Sequence, residues 1–589
     1  MQTRTTQIIV LIAALLLGIN NPSKAQTTNW NWLTQTKSTA EETSQGAVQD
    51  AQGNVYHAGI FAESFVLEGD TVTSWGGLNA PNGYVSRYTP GGPVSNNWTF
   101  VIGSRADNSI LTNIRGLKAD SAGNTTFWYK EFNFNFGLDT IQIGPNTYTI
   151  KGNGFVEISI LVKLDPQGNL LWHKVFESGT SGRANAIYTA PNKQGELYIV
   201  GQFGQQSPPT LTLDTITLTA IGINTNGHFL AKADANGNFI WAKSFGCKGL
   251  NGRNFQIEVN EQDEVFISGA WDGDTLFMEG FTAINPTPGG GYDRYIAKFN
   301  GSGQAQWLVN ESGQGEEYAA SLAPKASGGI MCLSILDTAA SLSLDNGSII
   351  LNPPGVVLTQ YDGQGNFESH KQYPINSSIN EFTAYLGCAL SGDGHDFFMS
   401  SKYNTASLNL DGIALTNAGG NLGTYDGFIA KIDTAGTVLW AENIGSDDDE
   451  EIFSLAYSVN NGLSIAGYTK SSDLVIGNDT VVNAGFLSGE AFVANLSFSG
   501  IGLSELNNVK TISLYPNPTS GQLFFNLEET ESEHITLKVE NLIGQVVLEK
   551  TIDNKSARHF IDVQNLSPGL YLLNLKDGNK TYSGKFIKK

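Results

Sequence analysis

A strand, a tight turn and a second strand bearing a tryptophan recur along most of this chain. One copy reads Val162-Lys163-Leu164-Asp165-Pro166-Gln167-Gly168-Asn169-Leu170-Leu171-Trp172. Others run from Ala231 to Trp241 and from Ala430 to Trp440. A fixed-period repeat constrains architecture before any single residue is weighed. With the lysine of the first strand as marker, Lys163, Lys232, Lys298 and Lys431 align, and Arg87, Gln360 and Asn495 fill the place in weaker copies. The seven markers follow one another at spacings of 62 to 76 residues.

Each copy carries a second turn and strand upstream, as in Gly195-Glu196-Leu197-Tyr198-Ile199-Val200-Gly201, with alternating pattern. Between the two lies a third element such as Asp139-Thr140-Ile141, Asp214-Thr215-Ile216 or Asp479-Thr480-Val481. Four short strands per copy joined by Gly/Asn/Asp turns predict a β-propeller blade. The last copy, Phe492 to Leu496, has no tryptophan strand after it, whereas Asn29-Trp30-Asn31-Trp32-Leu33 resembles one. The N-terminal strand is therefore expected to complete the last blade, which leaves no long unpaired sheet edge. The expected architecture is all-β: a seven-bladed β-propeller over residues 26–505, with six or eight blades as alternatives. Trp172, Trp241, Trp307 and Trp440 are expected to pack between blades. The marker lysines are expected to be partly exposed and paired with carboxylates.

The repeat resembles the bacterial β-propeller family abbreviated SBBP, most closely over Asp426-Gly427-Phe428-Ile429-Ala430-Lys431-Ile432-Asp433 to Trp440. The copy around Gln360 departs from the pattern, with Ser369 where tryptophan is expected. The resemblance implies a fold and an extracellular setting, and no defined activity.

The N-terminus reads as a secretory signal, residues 1–25. Arg4 precedes an apolar run from Ile8 to Ile19, too short to span a bilayer, and Ser23-Lys24-Ala25 offers a cleavage site between Ala25 and Gln26. No later stretch is apolar and long enough for a transmembrane segment. Three cysteines, Cys247, Cys332 and Cys388, make no disulfide framework even in a secreted chain; Cys332 and Cys388 sit in strand-like apolar runs and read as inert buried thiols.

Residues 506–510 read as a linker and 511–589 as a small Ig-like β-sandwich, with strands expected at 511–515, 522–527, 535–541, 546–552, 559–563, 569–576 and 581–589. From 506 onward the chain has 10 basic and 9 acidic residues, whereas residues 26–505 have 22 and 47. The net charge of −22 thus sits on the propeller and argues against nucleic-acid partners. Three segments of the last part carry a second resemblance: Tyr515-Pro516-Asn517-Pro518-Thr519-Ser520-Gly521, Asn541-Leu542-Ile543-Gly544, and Ser567-Pro568-Gly569-Leu570-Tyr571 followed by Gly584-Lys585. They are similar to the type A C-terminal sorting domain of cargo of the type IX secretion system of Bacteroidetes. That resemblance implies that residues 511–589 partner the type IX machinery and that the protein is exported through the periplasm, then released or held at the outer-membrane surface.

A zinc signature, a GxSxG elbow, an HExxH motif and a phosphate loop are missing, and the seven histidines are dispersed. Asp447-Asp448-Asp449-Glu450-Glu451 is the densest charge run. Asp447, Asp448 and Asp449 are weak candidates for a structural Ca²⁺, since hard oxygen ligands suit that ion, but their consecutive order is not the alternating calcium loop. No other cofactor is implied, no catalytic residue stands out, and a monomer is expected. The Asp-Thr-apolar triplets resemble O-glycosylation acceptors of Bacteroidetes but read more readily as a repeating strand or turn element.

Three functions are compatible with this sequence. The first is a non-catalytic module binding a glycan or protein on a loop-lined propeller face. The second is an extracellular polysaccharide lyase or glycosidase, which needs paired carboxylates or a His/Tyr/Arg set. The third is a structural component of a surface or biofilm.

Overall fold

The computed structural model describes residues 27–499 and 509–589 apart from 39–41, 68–69, 76–80, 93–96, 105–108, 134–138, 151–155, 178–182, 205–209, 222–225, 249–252, 287–290, 314–316, 318–319, 337–340, 345–346, 351–354, 376–387, 420–422, 459, 484–488, 527–533, 542–545, 554–557 and 578–579. The expected signal segment with Ala25 and Gln26, Gly544 and residues 506–508 of the expected linker lie outside the described residues. The chain forms two compact units, 1–499 and 500–589. The described residues are all-β with no helix, and hence no helix long and apolar enough to cross a membrane.

One antiparallel order recurs seven times in the first unit. In the third repeat, Arg183–Pro191 pairs with Leu197–Gly204, which pairs with Asn226–Ala233, which pairs with Phe239–Lys248. The inner strands of the seven repeats begin at Glu42, Ser109, Arg183, Arg253, Ser321, Cys388 and Glu450, and each packs against the next. The inner strands Glu42–Gln49 and Glu450–Ser458 also pack together. In the seventh repeat the outer strand comes from the other end of the chain: Thr27–Gln35 pairs antiparallel with Glu490–Ser499, as the repeat pattern predicts.

The turns explain themselves chemically. Asp165 accepts the N–H groups of Gln167 (2.9 Å) and Asn169 (2.8 Å) with one carboxylate oxygen and the Asn169 side-chain amide (2.8 Å) with the other. Gly168 then takes φ +83°, where a side chain is strained. Space imposes the same choice: a Cβ at Gly168 would lie 2.5 Å from Trp98, and one at Gly237 2.9 Å from Trp172. These tryptophans come from the preceding repeat. Their indole N–H groups donate to the turn carbonyl of the next repeat: Trp98 to Pro166 (3.0 Å), Trp172 to Ala235 (3.0 Å), Trp241 to Gly301 (3.3 Å) and Trp307 to Gly363 (3.1 Å). Trp32, on the first strand, donates to Pro90 of the first repeat (3.2 Å), so the seventh and first repeats share this link. Packing of tryptophan between repeats is thus as expected, and Trp440 shares it by standing edge-on to Phe498 of the seventh repeat.

Three expectations are corrected. Among the described residues each repeat has six strands, because the Asp-Thr element belongs to a hairpin rather than a single strand; examples are Asp139–Ile143 with Asn146–Ile150 and Thr210–Leu213 with Ile216–Thr219. Several hairpins extend the outer strand of the preceding repeat, as Thr275–Met278 does on Phe239–Lys248 and Ser341–Leu344 on Ala305–Gly313. The second and third strands do not alternate in burial: Val265–Trp271 and Asp293–Phe299 are buried at every position, because neighbouring repeats cover both faces of the sheet. For the same reason three of the four marker lysines are buried rather than partly exposed, whereas Lys431 is half-buried and pairs with Asp396 (3.0 Å) as expected. Lys163, Lys232 and Lys298 are 2%, 7% and 4% exposed. Lys163 lies 3.6 Å from Asp120 and donates to the Gly195 carbonyl of the next repeat (3.0 Å). Lys232 pairs with Glu196 of its own repeat (2.7 Å) and Asp263 of the next (3.2 Å). Burial lowers the Lys163 pKa, with Asp120 opposing it. In Lys232 burial acts the same way, but hydrogen bonds to Glu196 and Tyr198 outweigh it and raise the pKa.

The second unit has a five-stranded sheet in the order Val509–Thr511, Lys580–Lys588, Gly569–Asp577, His534–Asn541, Val546–Asp553, and a two-stranded sheet of Gln522–Asn526 with Arg558–Asp562. Leu523, Phe525, Leu537, Ile561, Leu573 and Phe586 are among its core residues. Val509 and Lys510, expected as linker, instead open the sheet in parallel pairing with Thr581 and Tyr582. Tyr515 forms only an isolated bridge, to Phe524.

Candidate functional site

The inner strands of all seven repeats line one cavity of about 340 Å³. Strand alternation selects the side chains that face it. Phe255 and Ile257 lie in the core, which turns Gln256 and Glu258 of the same strand toward the cavity they line. Gln45, Arg115, Lys118, Tyr188 and Tyr457 are other polar members of the lining. Gln45 donates to Thr43 Oγ1 (3.2 Å) and Arg115 Nε to Asn113 Oδ1 (3.0 Å). Lys118 and Glu258 form an ion pair between the second and fourth repeats, with both side chains between a quarter and a third exposed. Glu258 is the single carboxylate among the described lining residues. Cys388 reaches the lining, is only part-buried, and carries a thiol that burial pushes up to about 12.

Two buried carboxylate pairs lie outside this cavity. Asp293 and Glu317 are 2% and 0% exposed. Burial raises Asp293 to about 7; burial and the Asp293 charge raise Glu317 to about 8. Gly313 N–H donates to Glu317 (3.1 Å), and Glu317 N–H to the Tyr292 carbonyl (2.7 Å). Asp426 and Glu450 repeat this arrangement at identical spacing, but there Ser471 (2.5 Å) and Thr469 (2.6 Å) also donate to Glu450. At the spacing from Glu317 that corresponds to Thr469, the sequence has Leu336.

The three consecutive aspartates take different partners. Asp447 accepts from Ser472 (3.2 Å), Asp448 accepts the N–H of Asp449 (2.8 Å), and Asp449 pairs with Lys470 (3.0 Å) and accepts from Tyr425 (3.0 Å). Among the described residues, no group of three or more His, Cys, Asp or Glu is placed to hold a metal ion. His57 is fully buried against Ser44 (2.9 Å), and burial lowers its pKa to about 3.

The sorting-motif residues converge although far apart in sequence. Pro516 and Pro518 have no N–H, so the backbone between them cannot pair as a strand. Asn517 pairs in its place: its side-chain amide donates to the Lys585 carbonyl (2.8 Å) and its Oδ1 accepts from Ile587 N–H (2.9 Å). Thr519 N–H then donates to the Ile587 carbonyl (2.8 Å) and Lys589 N–H to the Thr519 carbonyl (2.9 Å). Tyr515 donates to Asn526 (3.2 Å), and the Gly521 carbonyl accepts from Val563 (2.7 Å). After Pro568 and Gly569, Tyr571 donates to the Ser567 carbonyl (2.8 Å) and stacks on Phe586. Asn517 lies within the motif, but its partners sit about 70 residues away, and no local signal points to them.

Residues 513–589 match the family described as the secretion system C-terminal sorting domain. This supports a cargo of type IX secretion, exported to the cell surface or beyond it. No curated protein matches the chain. Solved structures similar to it include a point mutant of NanB sialidase from Streptococcus pneumoniae, with TM-score 0.31 and 10% identity over 82% of this chain and 72% of that one. A point mutant of the Synechocystis protein ACO has TM-score 0.26 and 8% identity over 72% and 94%. Likeness at these TM-scores carries no argument about activity.

Proposed function

We propose that the first compact unit is a seven-bladed β-propeller of the SBBP-like type, closed by its N-terminal strand, and that it serves as a non-catalytic extracellular binding module. The unit is exported through its sorting domain, and its ligand is a glycan or a protein, with a glycan favoured. The carrying observation is the shared cavity, lined by all seven inner strands and furnished with Gln45, Gln256, Tyr188 and Arg115. Amide, phenol and guanidinium groups suit a polyhydroxylated ligand through hydrogen bonds. A glycosidase needs two carboxylates on one site; Glu258 is alone in the described lining and tied to Lys118. That weighs toward binding over hydrolysis. The test is a panel of polysaccharides against the purified protein, reading melting temperature and released reducing ends. Stabilisation with no new ends is the expected result, and new ends would make the protein an enzyme.

A further inference from the structure

The cavity wall differs in charge from the unit that encloses it. Residues 26–505 carry 22 basic and 47 acidic residues, yet the described lining has two cations, Arg115 and Lys118, against the one carboxylate of Glu258. All three come from the second and fourth repeats, and the described lining from the other repeats carries no charge. The two cations share the wall because their strand is bulged. Strict alternation would send residues three apart to opposite faces. Here Arg115 and Lys118 oppose Trp128 and Thr126, so that one residue of the partner strand faces two of this one, and Gly116 takes φ +64°. Ile114 and Leu117 therefore both enter the core, and Arg115 and Lys118 both line the cavity. The Lys118–Glu258 pair is more than a quarter exposed on both sides. An ion pair so exposed is held weakly, which lets an incoming anion compete for Lys118. Tyr188 and Phe453, both half-buried in the lining, add aromatic faces.

We infer that the ligand of this cavity is an acidic sugar, a ring bearing a carboxylate or a sulfate ester, whose anionic group displaces Glu258 from Lys118 and meets the Arg115 guanidinium. The guanidinium fork matches such an oxyanion, and Arg115 is oriented by its Nε bond to Asn113. The acidic exterior repels a long polyanion, an effect that screening confines to about 8 Å at physiological salt. A short oligosaccharide is the form that suits a cavity of about 340 Å³. The inference rests on the reading of the cavity as the ligand site, and the experiment separates the two.

The purified full chain is titrated by calorimetry with short galacturonate oligosaccharides, with their methyl esters and with sulfated galactose oligosaccharides. At least one charged form is expected to bind, and the tighter of the two identifies the anion. The methyl esters are expected to bind about tenfold more weakly than the free galacturonates if carboxylate is that anion, and neutral galactose oligosaccharides about tenfold more weakly than the sulfated ones if sulfate is. K118Q is expected to weaken binding of the charged form by a similar factor and E258Q to strengthen it, each with a melting temperature near that of the wild type because both side chains are partly exposed. K193Q, which removes an exposed cation outside the lining, is expected to bind as the wild type does. Equal binding of charged and neutral forms overturns the inference, as does affinity unchanged in K118Q and E258Q or an equal loss in K193Q. If only a neutral saccharide binds, and Gln256→Trp abolishes that binding, the inference fails while the cavity reading stands. If no saccharide binds, both fail.

Discussion

In the first compact unit the same bond is made again and again: a tryptophan of one repeat donates to the turn carbonyl of the next, over a glycine that leaves it room. In the second unit the decisive bonds occur once, where Asn517 grips a strand about 70 residues later. Repetition spreads stability over equivalent junctions, whereas the single clasp ties two distant segments together in one place. The difference teaches where each kind of information lies. Shape is written in what recurs, and address in what does not.

The comparison can be broken most severely at the one junction that is not local in sequence. Deleting residues 27–35 removes the partner of Glu490–Ser499 and the Trp32 link to Pro90. The expected outcome is loss of the cooperative melting transition of the first unit, or association through the unpaired edge of Glu490–Ser499, seen by calorimetry and light scattering. A monomer with the wild-type transition would remove the claim that the junctions form one ring.

At an ordinary junction, Gly237→Val places a β-branched side chain at φ +84° and against Trp172. A cost of about 3 kcal/mol or more is expected from strain and overpacking together, read by urea unfolding. Gly412, also at positive φ (+97°) but with open space around a Cβ, should cost less on the same change.

The buried acids sharpen the contrast between two equivalent junctions. Asp293 and Glu317 have folded-state pKa values raised to about 7 and 8, above the ordinary carboxylate range near 4. Between those limits the folded state binds more protons than the unfolded one, so stability falls as pH rises from about 4.5 to about 8 and is flat above. The slope is at most about 1.4 kcal/mol per pH unit for each group. Glu317→Gln should flatten the upper part of this profile in pH-dependent melting. Asp362, which Asn366 and turn N–H groups hold below its ordinary value, contributes the opposite sign: its stabilisation is present above about pH 4 and lost on further acidification.

The smallest expected effect compares two tryptophans. Trp241→Phe loses the hydrogen bond to the Gly301 carbonyl and should cost about 1–2 kcal/mol. Trp440→Phe keeps an aromatic edge against Phe498 and should cost less. Equal costs would mean that ring packing, not the indole N–H, holds the repeats together.

Much of the fold is legible in the sequence because its signals are local. The Asp-x-x-Gly-Asn turn, the tryptophan and the orphan first strand each announce themselves within a dozen residues, and pairing of Thr27–Gln35 with Glu490–Ser499 follows from them. The hairpins read as single elements because two four-residue strands around a short turn, as at 210–219, look like one polar-apolar stretch. Burial of Lys163 and Lys232 does not show in sequence because it depends on the next repeat laying turn carbonyls and carboxylates over them. The candidate site is hardly legible at all. Lys118 meets Glu258 across 140 residues, and Gln256 is one glutamine among many until its strand is placed on the cavity wall. The Asp293–Glu317 pair hides likewise, since two acids in a strongly acidic chain attract no notice until both prove buried.

The central claim is that ligand binding belongs to the cavity shared by the seven inner strands. The most direct measurement compares the wild-type protein with Gln256→Trp, whose indole fills part of that cavity, against the polysaccharide panel by thermal shift and reducing-end release. The account predicts that at least one polysaccharide stabilises the wild type without being cut, and that Gln256→Trp abolishes the shift while retaining its own melting transition. A shift that survives in Gln256→Trp, or new reducing ends with the wild type, would contradict it.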